Sequence, residues 1–182
     1  MKLKTRYTYV AMSAATAAGM LMLGGTLPAS AGPGDTSATV TITGGSLQIS
    51  VPVSAGSLGT QANTIGGETI SGALGEVQVT DARSAAAGSG WVASVISTAW
   101  APTSGTAIGA ANVSYTAGSI TKTGTATYVA NDPANLSAVT PAVTATGITG
   151  DNSATWNPTI HVAVPGGTVA GTYSATITHS VV

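Results

Sequence analysis

The stretch YSATITHSVV, residues Tyr173–Val182, decides the fold class. Every second residue from Tyr173 is apolar or aromatic except His179, and serine or threonine occupies the positions between them. This alternation predicts a β-strand that buries one face. His179 stands on the predicted inward face, between Ile177 and Val181. We therefore expect its imidazole to be at least partly buried, neutral at pH 7, and bonded to a backbone or hydroxyl group.

The same period of two recurs along the chain and predicts further strands. It is clearest in four runs, which are Val40 with Ile42, Leu47 with Ile49, Val51 and Val53, Val77 with Val79, and Ile160 with Val162 and Val164. Residues 91–100, 112–116, 120–129, 139–148 and 172–181 are additional strand candidates.

Turn signals rich in glycine, proline or asparagine separate these runs, at residues 44–45, 66–67, 102–105, 131–133, 150–152 and 165–167. No helical period is present, and the alanine-rich residues 82–90 are too short and too rich in glycine for more than one turn. The sequence thus predicts an all-β fold, a single antiparallel, immunoglobulin-like β-sandwich of about nine short strands.

The first 31 residues are predicted to be a cleaved secretory signal peptide. Lys2, Lys4 and Arg6 precede an apolar stretch over residues 10–27, and Ala29-Ser30-Ala31 forms a small-x-small cleavage site before Gly32. An uncleaved membrane anchor is the alternative, but serine, threonine and glycine dilute the stretch, which runs directly into the cleavage site. We expect a secreted protein with one domain, residues 32–182, and no membrane association after cleavage.

Charge excludes several classes of partner. Three of the five basic residues belong to the leader, which leaves two cations against six acids and a net charge of −4. Two cations cannot follow a phosphate backbone, so the sequence predicts no nucleic-acid binding. Attraction to anionic lipids or anionic wall polymers by charge alone is excluded for the same reason. No cysteine is present, so the fold depends on packing and backbone pairing.

Catalytic and metal-binding patterns are scarce. The two histidines, His161 and His179, are accompanied by no nucleophile elbow, no cysteine nucleophile and no H-E-x-x-H motif. Oxygen ligands at residues 131–133 and 150–153 lack the spaced carboxylates of a calcium loop. The sequence therefore predicts no enzyme, no metal and no cofactor. The mature chain has six aromatic residues, each able to fill the core or stack on a sugar ring: Trp91, Trp100, Trp156, Tyr115, Tyr128 and Tyr173.

Several segments resemble the WxL family of Gram-positive surface proteins, over about residues 38–182. These segments are GWVASV (90–95), the terminal YSATITHSV (173–181), SGALGEVQVTDAR with its D-x-R lead-in (71–83), and SATWNPTIHVAVPGGTVAGTYSATIT (153–178). The family pairs an internal G-W-x-L strand with a distal Y-x-x-x-I-T-W-x-L strand.

Two positions of each W-x-L motif can be compared with this chain. Trp91 matches the first tryptophan, whereas Ala93 stands in place of the leucine. Tyr173 matches the distal tyrosine, while His179 takes the distal tryptophan position and Val181 the leucine position. From this resemblance, Trp91, Tyr173 and His179 are the candidate binding residues.

The resemblance implies a secreted protein that is held non-covalently at the cell surface and binds peptidoglycan. Its expected partner is a cell-wall glycan or another surface protein. The alternative is a structural or self-assembling surface subunit, such as a coat, fibre or pilin-like unit. The low charge, the abundance of Thr, Ser, Gly and Ala, and sheet edges free to pair with another chain favour that alternative.

Overall fold

The computed structural model describes residues 38–182, so the predicted leader and its cleavage site lie outside the described residues. The described chain forms ten strands and one turn of 3₁₀ helix (Ala110–Asn112). The strands are β1 (Leu47–Ser50), β2 (Glu68–Ala73), β3 (Val77–Ser97), β4 (Ala101–Pro102), β5 (Val113–Thr116), β6 (Thr121–Ala130), β7 (Thr140–Trp156), β8 (Thr159–Val164), β9 (Tyr173–Ser174) and β10 (Ile177–Val181).

The long strand β3 organises the first sheet. Strand β7 pairs with one edge of β3, and β6 pairs with the far edge of β7. The other edge of β3 is shared, because β1 pairs with residues 78–81 and β10 pairs with residues 93–97. The order is therefore β1–β3–β7–β6, and β10 occupies the part of the β3 edge that β1 leaves free.

The second sheet has the order β2–β8–β5 and faces the first sheet across the core. A buried hydrogen bond joins the two sheets, since the Nε1–H of Trp156 on β7 donates to the hydroxyl of Tyr115 on β5 at 2.7 Å. All pairings in both sheets are antiparallel. The largest side chains of the core are Trp91, Trp156, Tyr115, Leu136, Ile148 and Ile160.

The predicted all-β antiparallel sandwich is confirmed, but the strands divide differently from the prediction. Residues 82–90 lie inside β3, and residues 150–152, predicted as a turn, lie inside β7. Register shifts between β3 and β7 absorb the extra residues, and Gly150 has a φ of 72°. Glycine tolerates this conformation, so its presence here indicates a bulge within a strand and not the end of one.

Two alternating runs do not form strands where the sequence predicts them. Val40 and Ile42 are 86% and 82% exposed, and residues 38–46 belong to no strand. Val51 and Val53 follow β1 but are also exposed. Strand β2, in contrast, was not predicted, because Ile70 is its only large apolar residue. Alternation shows which side chains share a face, but a strand also needs a neighbour with which to pair.

Candidate functional site

The two segments that carry the family resemblance are neighbours in the first sheet. Strand β10 runs antiparallel to β3, with His179 opposite Val95 and Val181 opposite Ala93. The two positions at which the family has leucine, Ala93 and Val181, therefore face each other across the sheet. His179 and Val181 are half-buried, in agreement with the predicted inward face.

His179 contacts the second sheet through Tyr115. Its Nε2 lies 3.3 Å from the Tyr115 hydroxyl, and the two ring centroids are 5.7 Å apart. Burial lowers the pKa of His179 to about 4 and raises the pKa of Tyr115 well above its usual value. The imidazole is therefore neutral at pH 7, and its Nε2 can accept a hydrogen bond from the Tyr115 hydroxyl. The expectation of a partly buried histidine bonded to a hydroxyl group is confirmed.

A cleft of about 870 Å³ opens beside His179, within the usual range for small-molecule sites. We call it the β10 cleft. Its sides are formed by the loop over residues 51–63 and by residues 168–177, and Trp100, Tyr173 and His179 supply its ring-bearing side chains. Outside these two segments, the aliphatic lining consists of Ile70, Leu74, Val77, Ile108, Val162 and Val164.

The β10 cleft is uncharged. Among the described residues, no Asp, Glu, Lys or Arg belongs to its lining, and His179 is neutral at pH 7. The buried Nε1–H of Trp100 has no hydrogen-bond partner among the described residues. The rest of the polar lining consists of uncharged hydroxyl and amide side chains, among them Ser57, Gln61 and Asn63. The cleft therefore suits an uncharged ligand that has apolar faces and hydroxyl or amide groups.

Tyr173, the second candidate binding residue, lies at the margin of this cleft. Its ring is half-buried, and its hydroxyl donates to the carbonyl of Val169 at 2.8 Å. The backbone of β9 pairs with β4, where Pro102 is opposite Tyr173. These contacts fix the Tyr173 hydroxyl and backbone, and the residue lines the cleft.

Trp91, the third candidate, lies in the core and does not line the β10 cleft. It is only 2% exposed, and its Nε1–H donates to Oδ1 of Asn152 at 3.0 Å. The preceding Gly90 is needed for close packing, because a Cβ there would lie 2.7 Å from the carbonyl oxygen of Ala145 on β7. The structure thus brings Tyr173 and His179 together and separates them from Trp91.

Asn152 connects Trp91 to an ion pair between the buried Asp81 and the partly exposed Arg83, and we call this group the Asp81 network. The Nδ2 of Asn152 donates to Asp81 at 3.1 Å, and Arg83 donates to both carboxylate oxygens of Asp81, through Nε at 2.8 Å and Nη2 at 3.0 Å. The hydroxyl of Tyr128 also donates to Asn152. The hydrogen bond from Arg83 holds the pKa of Asp81 below its usual value. The D-x-R pair therefore places a buried carboxylate in the core and a partly exposed guanidinium at its margin.

The second histidine, His161, lies on the outward face of β8, half-buried between two neighbouring strands. Its Nδ1 is 2.7 Å from the Ser71 hydroxyl on β2, and its Nε2 is 3.3 Å from the Thr116 hydroxyl on β5. Both ring nitrogens therefore engage hydroxyl groups. This arrangement links the three strands of the second sheet.

Residues 38–182 contain no group of three or more His, Asp or Glu side chains placed to hold a metal ion. Within the same residues, no helix has the length and apolar character needed to cross a membrane.

Searches with this chain against protein-family models, curated proteins and solved structures find no match.

The sequence pointed to part of this site. It identified Tyr173 and His179, but it gave no reason to prefer Trp100 among the six aromatic residues. Trp100 reaches the cleft because its backbone bridges to Ile108, outside the longer strands. Asn152 was missed because Gly150, Asp151 and Asn152 together are typical of a turn.

Proposed function

We propose that this chain is a secreted cell-surface protein that binds the cell wall non-covalently, as the resemblance to the WxL family implies. The ligand we propose is the glycan strand of peptidoglycan, bound in the β10 cleft. The observation that carries the proposal is an uncharged cleft in which Trp100, Tyr173 and His179 come together.

The chemistry of a glycan strand matches that of the cleft. N-acetylated sugar rings present apolar faces that stack on aromatic side chains, and their hydroxyl and amide groups supply acceptors. The hydroxyl and amide side chains of the loop over residues 51–63 can form hydrogen bonds with these groups. The absence of charged groups from the lining favours the glycan strand over the charged peptide and polyanionic components of a wall.

Replacing Trp100 with alanine is expected to weaken binding to purified peptidoglycan about tenfold, equivalent to about 1.4 kcal/mol, since a stacking surface is lost. A co-sedimentation series with insoluble peptidoglycan measures the affinity, and soluble linear oligomers of N-acetylglucosamine should compete. Trp100→Phe keeps a ring and should retain more binding than Trp100→Ala.

The matched control is Val129→Ala on β6, which removes an exposed apolar side chain outside the cleft lining and should bind normally. Thermal melting establishes that each variant is folded. Unchanged binding by folded Trp100→Ala and Tyr173→Ala proteins would contradict the assignment of the cleft.

Salt provides a second test. At about 1 M salt the screening length is about 3 Å, so attraction between surface charges is largely lost. Stacking and hydrogen bonding in an uncharged cleft persist, and we expect most of the protein to remain on the wall. Release of most of the protein by a salt wash alone would indicate an electrostatic mode of attachment.

A further inference from the structure

One segment has the sequence of a β-strand but no strand beside it. Residues 38–43, ATVTIT, alternate apolar and threonine side chains, and five of the six residues, at consecutive positions 39–43, are β-branched. Val40 and Ile42 are exposed, and residues 38–43 pair with no strand of the described chain. Exposed aliphatic side chains and unpaired backbone groups together favour addition to the edge of a sheet.

Within residues 38–182, strand β6 has a free edge that is longer than the six-residue segment. It has ten residues and pairs with β7 on one side only. The N–H of Asn131 bonds to the carbonyl of Ala142, so alternation along the ladder directs the backbone groups of Ala130 and Tyr128 away from β7. Lys122 is the only charged residue of β6, and the register is regular from Thr127 to Ala130.

The other edges are covered or short. A Cβ on Gly72 of β2 would lie 2.7 Å from Cα of Leu58, so the loop over residues 51–63 covers that edge. On β5 the N–H of Tyr115 bonds to the carbonyl of Pro133. Strands β1 and β10 have only four and five residues. Among the described strands, β6 thus has the longest edge open to another strand.

We propose that residues 38–43 of one copy of this protein add as a strand to the β6 edge of a second copy. The inward side chains of β6 are Ala126, Tyr128 and Ala130, and all three are only half-buried at the margin of the sheet. An added strand would cover them with Val40 and Ile42. Its threonines would then lie on the solvent face, beside the exposed threonines of β6.

This contact joins two different surfaces, so each copy has one donor segment and one acceptor edge. A contact of this kind is heterologous, and copies add head to tail into open chains unless the geometry closes a ring. The interaction goes beyond wall binding, since it depends neither on the β10 cleft nor on a glycan. It would allow bound copies to form a surface layer or fibre.

Sedimentation velocity across a dilution series of the secreted, processed protein tests the proposal. The wild type should form oligomers whose size grows with concentration. Ile42→Lys should abolish them, because the donor strand would then carry a charge onto the inward face. Ile65→Lys is the matched control, since Ile65 is 101% exposed in a turn outside the donor segment, and it should leave the oligomers unchanged.

The acceptor edge is tested with Ala130→Lys, where the ammonium can reach water in the single copy but is buried when a strand is added. Ala126→Lys, at the other small inward position of β6, is the second acceptor variant if Ala130→Lys does not fold. Either should be monomeric. An acceptor variant keeps its donor segment, and Ile42→Lys keeps its β6 edge. A mixture of the two should therefore form a heterodimer and nothing larger.

A wild type that stays monomeric at every concentration would overturn the proposal. It would also be overturned if Ile42→Lys or the folded acceptor variants associate like the wild type, or if their mixture forms no heterodimer. Glycan binding by the same variants is measured separately and should be unchanged, so a failure of self-association is distinguishable from a failure of wall binding.

Discussion

Replacing Asn152 with alanine is expected to lower the free energy of unfolding by about 3 kcal/mol. The change leaves the Nε1–H of Trp91 without an acceptor in the core and removes one donor from the buried carboxylate of Asp81. Each buried polar group that loses its partner costs roughly 1–3 kcal/mol. Tyr128 is affected less, because its hydroxyl also reaches the carbonyl of Ser153.

Denaturant unfolding with linear extrapolation measures this loss. Asn131→Ala is the matched control, since Asn131 is exposed and donates one side-chain hydrogen bond to Thr144, and it should cost at most about 0.5 kcal/mol. Combining Asn152→Ala with Trp91→Phe tests the connection directly. The two effects should be less than additive, because the second change removes the stranded N–H.

A loss below about 1 kcal/mol for Asn152→Ala would mean that the core relaxes around the missing amide, and that the Asp81 network contributes little to stability. Independent effects of the two substitutions would contradict the hydrogen bond between Trp91 and Asn152.

Acidification from pH 7 to pH 4 is expected to remove roughly 2–3 kcal/mol of stability through His179 alone. The pKa of His179 is about 4 in the folded protein, against about 6.5 in an unfolded chain. Below pH 6.5 the unfolded chain therefore binds a proton that the folded protein excludes. The loss begins near pH 6.5 and is complete near pH 4, and above pH 6.5 this histidine makes no pH-dependent contribution.

The measurement is the difference in unfolding free energy between wild type and His179→Phe across this range, since groups common to both proteins cancel. Asp81 affects the free energy of unfolding at lower pH. Its pKa is lowered in the folded protein, so it stabilises the fold above about pH 3.9. That contribution is lost as the carboxylate is protonated below this pH. Parallel pH profiles for the two proteins would show that the imidazole is protonated equally in both states.

Substitutions at the same position give a second readout. His179→Asp should lower the melting temperature strongly, because it places a carboxylate in an uncharged setting near Ile177 and Tyr115. His179→Trp, the residue found in the family pattern, should be tolerated because the site already holds a planar ring. If the His179→Asp protein melts like the wild type, the side chain at this position lies in solvent. That result would contradict the match between β10 and the distal strand of the WxL pattern.

The two proposed interactions use different parts of the molecule. The β10 cleft lies at the edge of β3 that β1 and β10 share, whereas β6 closes the opposite end of the same sheet. Wall binding and self-association can therefore occur in the same copy. A protein that is anchored by one surface and joined to its neighbours by another could cover a wall without covalent attachment.

The sequence alone determined the fold class and the face on which each residue of β10 lies. Both follow from local chemistry, because a period of two places Ile177, His179 and Val181 on one side whatever strand lies next to them. Composition also determined the low charge, which is the basis for predicting no polyanionic partner.

Only the tertiary structure decided which strands meet and in what register. Residues 150–152 have the local features of a turn, yet pairing with the bulged β3 places Asn152 opposite Asp81 and within reach of Trp91. The same pairing removes Trp91 from the surface, while the backbone bridge to Ile108 brings Trp100 to the cleft. Register depends on contacts between residues far apart in the chain, so no local pattern encodes it.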